Sequence, residues 1–269
     1  MNSDVVRIAA IQMSSGADIG HNLRVAGELL AAAASDGCKL AVLPENFALM
    51  PERGRDKARH AEAPADGPIQ AFLAESALSN GMWIVGGSMP LVSPELDAER
   101  VFGACPVYDS NGKQRASYKK IHLFDVDLAD ASQSYRESRS MFPGEDVVSV
   151  DSPAGRIGLS ICYDLRFPEL YRHLVAAGAS LFTVPTGEAH WHILLRARAI
   201  ENLAYVVAAG QYGQHPDRRS TYGHSLIIDP WGRILAEQAA GDGFVAADID
   251  LQQQATLRKE FPALLNRRL

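Results

Sequence analysis

Cysteine is scarce in this chain: Cys38, Cys105 and Cys162 are three in 269 residues, with no Cys-x-x-Cys pair. That set excludes a disulfide framework and a cysteine-built zinc site. Long apolar runs are missing too, and none reaches the ~18 residues of a membrane helix. Basic charge is in deficit: 26 Lys and Arg against 32 Asp and Glu leave a net charge of −6, which argues against nucleic acid as a partner. No Gly-x-Gly-x-x-Gly or Walker-type loop offers a phosphate cradle. His190 and His192 stand two apart, a spacing that does not share a helix face. His122, His215 and His224 have no ligand spacing either, so no metal is expected. The opening Met1 to Arg7 carries acid where an export signal carries base. The expectation is a soluble, cytoplasmic, reduced protein. Its length allows about three-quarters of the extended surface to be buried, within one domain over residues 1–269.

What is present is an interleaving of two periodicities. Strands are expected over Val5–Met13, Lys39–Leu43, Trp83–Met89, Arg156–Ile161 and Tyr205–Ala209. Leu23, Ala26, Leu30 and Ala33 share a helical face, and further helices are expected over Pro68–Ser79, Pro168–Ala177 and Ala189–Leu203. Ser110-Asn111-Gly112 and Asp229-Pro230-Trp231-Gly232 each sit between extended runs and read as hairpin turns. Crossovers combined with hairpins make a mixed α/β sheet, and no linker or repeat divides it.

Three reactive side chains fall at expected strand ends, where open α/β sheets bind ligands: Glu45, Lys120 and Cys162. Two readings of Cys162 stand side by side. It is a small buried hydrophobe, as most free cysteines are; or it is a nucleophile, because the polar turn Tyr163-Asp164-Leu165-Arg166 would bring backbone N–H groups to the thiol. Glu45 and Glu137 read equally as solvated acids, and Lys120 as one charge of a basic turn.

Three segments taken together closely resemble the signature of the nitrilase (carbon–nitrogen hydrolase) superfamily: Leu43-Pro44-Glu45-Asn46, Tyr118-Lys119-Lys120-Ile121-His122 and Ile161-Cys162-Tyr163-Asp164-Leu165-Arg166-Phe167-Pro168-Glu169. The stretches Thr186-Gly187-Glu188-Ala189-His190-Trp191 and Tyr222-Gly223-His224-Ser225 are similar to the branch that acts on deaminated glutathione and to its ω-amidase relatives. The resemblance implies a four-layer α-β-β-α sandwich, associated as a dimer or higher homo-oligomer, with no cofactor. It implies Cys162 as nucleophile, Glu45 as general base, Lys120 as stabiliser of the tetrahedral intermediate and Glu137 as a second glutamate of the site. Tyr163, Arg166, Thr186 and His190 are the implied substrate contacts. The implied reaction is hydrolysis of a primary amide of a small carboxylate, of the deaminated-glutathione type. The alternatives are ω-amidase or other short-amide activity, or a non-catalytic binding or assembly role.

Such a site has a proton problem to solve. Handing the proton of a thiol near pKa 8.5 to a carboxylate near 4.3 is uphill by about 6 kcal/mol, so the site must stabilise the thiolate, raise its base, or both. Two carboxyls in one dry pocket would raise one of them. Measured against the family pattern, Ala179 to Pro185 runs directly into Thr186-Gly187-Glu188, one Thr-Val-Pro-like run and its loop short. A more open substrate wall over residues 181–188 is therefore expected.

Overall fold

Two stacked sheets carry the molecule, and the alternating faces of their strands determine what packs on each side. The computed structural model describes residues 5–52, 55–92, 99–127, 134–185, 190–215 and 220–268. The chain begins β1 (Val5–Gln12), α1 (Ile19–Ser35), β2 (Leu40–Val42), α2 (Asp56–Arg59), α3 (Pro68–Asn80), β3 (Trp83–Val85), β4 (Met89–Leu91), β5 (Val101–Tyr108) and β6 (Gln114–Lys119). The short strands β7 (Asp125–Asp127), β8 (Ser134–Arg136) and β9 (Met141–Phe142) follow. Then come β10 (Ser149–Ser152), β11 (Gly155–Leu159), α4 (Pro168–Ala176), β12 (Leu181–Thr183), α5 (Trp191–Asn202) and β13 (Tyr205–Ala208). The chain continues through β14 (Tyr212–Gln214), β15 (Ser220–Tyr222), β16 (Ser225–Ile228), β17 (Ile234–Gln238), β18 (Gly243–Asp250) and α6 (Leu251–Glu260).

The first sheet is ordered β18-β1-β2-β3-β5-β4, with β6 and β9 also on β5; the second is ordered β10-β11-β12-β13-β16-β17. In each, three parallel strands (β1–β2–β3 and β11–β12–β13) lie between antiparallel neighbours. Because successive side chains point to opposite faces, Ile8 and Ala10 of β1 meet Ile157, Leu159, Leu181 and Val207 of the other sheet. Ala9 and Ile11 instead meet Leu30 and Ala33 of α1 and Leu73 and Ala77 of α3. On the far side, Phe182, Val206 and Leu226 pack under Leu170 and Leu174 of α4 and Leu195 and Ala199 of α5. The layers are therefore helix, sheet, sheet, helix: the α-β-β-α sandwich.

Local signals explain the helix ends. Asp18 caps α1 by accepting from the His21 N–H, and Pro68 opens α3, which stops at Gly81 in the left-handed conformation. The expected strand Trp83–Met89 is two strands, broken at Gly86-Gly87. Gly87 has φ +57°, and a Cβ there would lie 2.1 Å from the Pro44 carbonyl oxygen. The break exists so that the chain can pass against the exit of β2, immediately before Glu45. β12 keeps both its parallel neighbours, whereas residues 186–189, on which the expected shortening turns, lie outside the described residues. Among the described residues no helix is long and apolar enough to cross a membrane.

Candidate active site

Glu45, Lys120 and Cys162 leave the ends of β2, β6 and β11, as their positions in the sequence suggest. Lys120 is at the centre, only 2% exposed. Its Nζ donates to Glu45 Oε1 at 3.1 Å and to both Glu137 oxygens at 3.1 and 3.0 Å. Glu137 arrives on a single 3-10 turn after β8 and accepts a further bond, 2.7 Å, from the Phe124 N–H. The backbone behind Glu45 is also held. Gln211, buried, donates to the Glu45 carbonyl at 3.0 Å, and the Asn46 N–H donates to Ser88 Oγ at 2.9 Å.

Cys162 opens a 3-10 turn, Cys162–Arg166, with φ +51°, a left-handed backbone that a residue with a side chain adopts at a cost of order 1–3 kcal/mol. What holds it there is visible. The Cys162 N–H donates to the Pro185 carbonyl at 2.9 Å, and Asp164, fully buried, ties the turn to the strand carrying Lys120. Asp164 accepts from Tyr118 OH at 2.7 Å, the Ile161 N–H at 2.8 Å, the His122 N–H at 3.0 Å and His122 Nδ1 at 2.7 Å. One carboxylate thereby sets the position of the turn relative to Lys120. Cys38 is buried under α1 and α3 and Cys105 between the two sheets; burial pushes their thiols up to about 11 and about 12.

The electrostatics favour a neutral thiol among fixed charges. Burial, and then the Glu45 carboxylate within hydrogen-bonding reach, push the Cys162 thiol well above its ordinary value against the opposing pull of Lys120. Burial would strip Lys120 of its proton, but Glu137 and then Glu45 more than offset this, so the ammonium is retained. Burial likewise opposes ionisation of Glu137, and Lys120, Lys57 and the Phe124 N–H overcome it, leaving the carboxyl below its ordinary range. Glu137 is thus not raised, as pairing of two acids alone would suggest, because the lysine lies between them.

The expected substrate contacts separate. The Tyr163 ring packs edge-on against Phe124 and Phe167 at 5.0 and 5.3 Å, close beside the thiol turn. Arg166 and His190 hydrogen-bond each other on the exposed side. Thr186 lies outside the described residues. Asp164 and Tyr118 stand inside the motif segments yet carry no periodicity or charge pattern that marks them. Lys57, on α2, acts on Glu137 from far along the chain with no signal in the sequence.

A buried lysine joining two glutamates beside a strained cysteine turn, in an α-β-β-α sandwich, defines a hydrolase of carbon–nitrogen bonds. The chain belongs to the carbon-nitrogen hydrolase family, whose profile matches residues 7–259. It is 40% identical over 267 residues to a deaminated glutathione amidase of Yersinia enterocolitica, covering 97% of this chain and 92% of that one. The C. elegans NitFhit protein superposes with a TM-score of 0.91 at 36% identity; the match covers all of this chain but 66% of that one. A mutant of the amidase from Nesterenkonia sp. AN1, showing the result of Michael addition of acrylamide at its active-site cysteine, superposes at 0.79 with 26% identity, covering 96% of this chain and 98% of that one.

Proposed function

We propose that this chain is a cofactor-independent cysteine amidase that cleaves an amide of a small carboxylate substrate, best read as deaminated glutathione, through a thioester on Cys162. The observation that carries the reading is Lys120 Nζ bonded at once to Glu45 and Glu137 beside the Cys162 turn. Cys162 Sγ attacks the amide carbonyl as its proton passes to Glu45, since a thiol raised by its surroundings offers little free thiolate. Lys120 and the Tyr163 N–H hold the oxyanion. The C–N bond then breaks, and the nitrogen leaves with the proton from Glu45. A primary amide, the class that the motifs imply, releases ammonia; the γ-linkage of deaminated glutathione is a secondary amide, so there the nitrogen leaves as the amine of the remaining dipeptide. Water, deprotonated by Glu45, opens the thioester to the acid and returns the thiol. Glu137 keeps Lys120 charged and in place, and Tyr163, Arg166, Thr186 and His190 contact the rest of the substrate.

The substrate reading is supported by the 40% identity to a deaminated glutathione amidase. The same reading takes residues 1–269 as one cytoplasmic domain, working on a small molecule without nucleic-acid or membrane partners. Support for the compartment comes from three cysteines that form no disulfide. The chain is further read as a homo-oligomer, dimer or higher, for which Ile193 on α5, 74% exposed, supplies apolar surface. Comparing kcat/KM on deaminated glutathione and on 2-oxoglutaramate tests the proposal. A preference of tenfold or more for the former is expected. Preference for the latter would make the protein an ω-amidase, and turnover of neither would leave the non-catalytic alternative.

A further inference from the structure

Away from the amide site, a second constellation forms from residues far apart in sequence. His192 is the second residue of α5, His224 lies in the turn between β15 and β16, and Glu237 is on β17. Glu237 Oε1 receives both imidazoles, His192 Nε2 at 2.7 Å and His224 Nδ1 at 2.5 Å, and the three ligand atoms all lie within 4.8 Å of one another. Among the described residues this is the one such group of histidine and acidic side chains.

The rings are held in place rather than loosely gathered. Tyr222 stacks on His224 at 4.0 Å, and His192 meets the His224 ring edge-on at 5.1 Å. His224 itself has φ +53°, a left-handed backbone, with its N–H fixed to the Ala239 carbonyl at 3.2 Å. From that turn the imidazole reaches Glu237 on β17. The side chains remain a quarter to a third open, at 25, 25 and 30% exposure, so an ion can enter and water can complete its shell.

We propose that His192, His224 and Glu237 bind one divalent transition-metal ion of the zinc class, with a solvent-facing position left open. Two imidazole nitrogens and one carboxylate oxygen suit Zn²⁺, Co²⁺, Ni²⁺ or Cu²⁺, whereas Mg²⁺ and Ca²⁺ require oxygen. Bonds of about 2.1 Å at tetrahedral angles separate ligand atoms by roughly 3.4 Å, so the carboxylate has to withdraw by less than about 1 Å to admit the ion. The hydrogen-bonded trio is the arrangement that protons maintain when no metal is bound. The ion takes no part in amide hydrolysis. It joins the start of α5 to β17 and to the turn ahead of β16. His190, two residues before His192, bonds Arg166 in the thiol turn, so the start of α5 links the two clusters. Residue spacing could not reveal this site, because only folding brings positions 192, 224 and 237 together.

The test uses the full chain in a Cys162→Ala background, which removes the thiol as a competing ligand. After chelator treatment, equilibrium dialysis against Zn²⁺ should give one ion per chain and a rise in melting temperature of about 5–10 °C at a hundredfold excess over Kd. His192→Asn and Glu237→Gln, placed on different elements, should each weaken binding at least about 100-fold, since even changes around a ligand cost 10–100-fold. Excess Mg²⁺ should not compete. The Co²⁺ form of the Cys162→Ala chain, carrying no other change, should show the intense visible absorption of four-coordinate cobalt, a readout independent of how the ligand variants fold. Absence of stoichiometric Zn²⁺ at about 100 µM free ion, or binding unchanged in both ligand variants, would overturn the proposal.

Discussion

Replacing Lys120 with Met takes the cation out of a site where two carboxylates converge. Lys120 is 2% exposed, Glu45 19% and Glu137 15%, so the charges left behind cannot turn fully to water. Breaking a buried pair from one side costs about 3–5 kcal/mol, most of it the penalty of the unpaired anions. At about 2–4 °C per kcal/mol the melting temperature should fall by about 6–20 °C. Turnover should fall further than stability explains, by at least about 100-fold at a temperature where the variant is folded, because the proposed oxyanion donor is gone. Combining Lys120→Met with Glu137→Gln separates the two effects. One anion goes with the cation, so much of the lost stability should return while the rate does not. Calorimetry at pH 7 and initial rates on deaminated glutathione read both quantities. A Lys120→Met protein turning over within threefold of the parent would refute the reasoning, as would a double variant that regains rate together with stability.

Three further outcomes follow from other parts of the site. Because burial and Glu45 raise the Cys162 thiol, its alkylation by iodoacetamide should keep accelerating past pH 9; Glu45→Gln, which removes a neighbouring anion, should move that rise to lower pH, and a parent plateau near pH 7 would contradict this. Gly87→Ala puts a methyl 2.1 Å from the Pro44 oxygen at φ +57°; it should lower stability by at least about 1 kcal/mol from conformation alone and displace Glu45, so unchanged activity would show the contact to be unimportant. Asp164→Asn turns a donor towards groups that are themselves donors, and should cost about 1–3 kcal/mol in denaturant melts with a larger loss of rate, because the Cys162 turn loses its tie to Lys120. An equal fall in both would make Asp164 purely structural.

Much of the framework was legible because it is local. The Leu23, Ala26, Leu30, Ala33 stripe, Pro68 at a helix start and Asn111-Gly112 in a hairpin are each decided within a few residues, and the structure follows them. Strand ends likewise pointed to Glu45, Lys120 and Cys162 one at a time. What periodicity could not supply was their meeting, which came only through motif resemblance. Features made by distant contacts stayed hidden. The break at Gly86-Gly87 depends on the Pro44 carbonyl. The edge of the first sheet depends on β18 pairing with β1 along all eight residues of each, from Val5 opposite Asp250 to Gln12 opposite Gly243. Asp164 looks like any acid in a turn until Tyr118 and His122 close over it.

The central claim is covalent chemistry at one thiol, and rapid-quench intact mass spectrometry addresses it most directly. Mixed with deaminated glutathione, the protein should gain the mass of the acyl fragment within a turnover, on a peptide containing Cys162. Cys38→Ala and Cys105→Ala should trap the adduct as the parent does, whereas Cys162→Ala should remain folded, trap nothing and release no product. Full turnover by Cys162→Ala, or an acyl group carried on any other residue, would contradict the account.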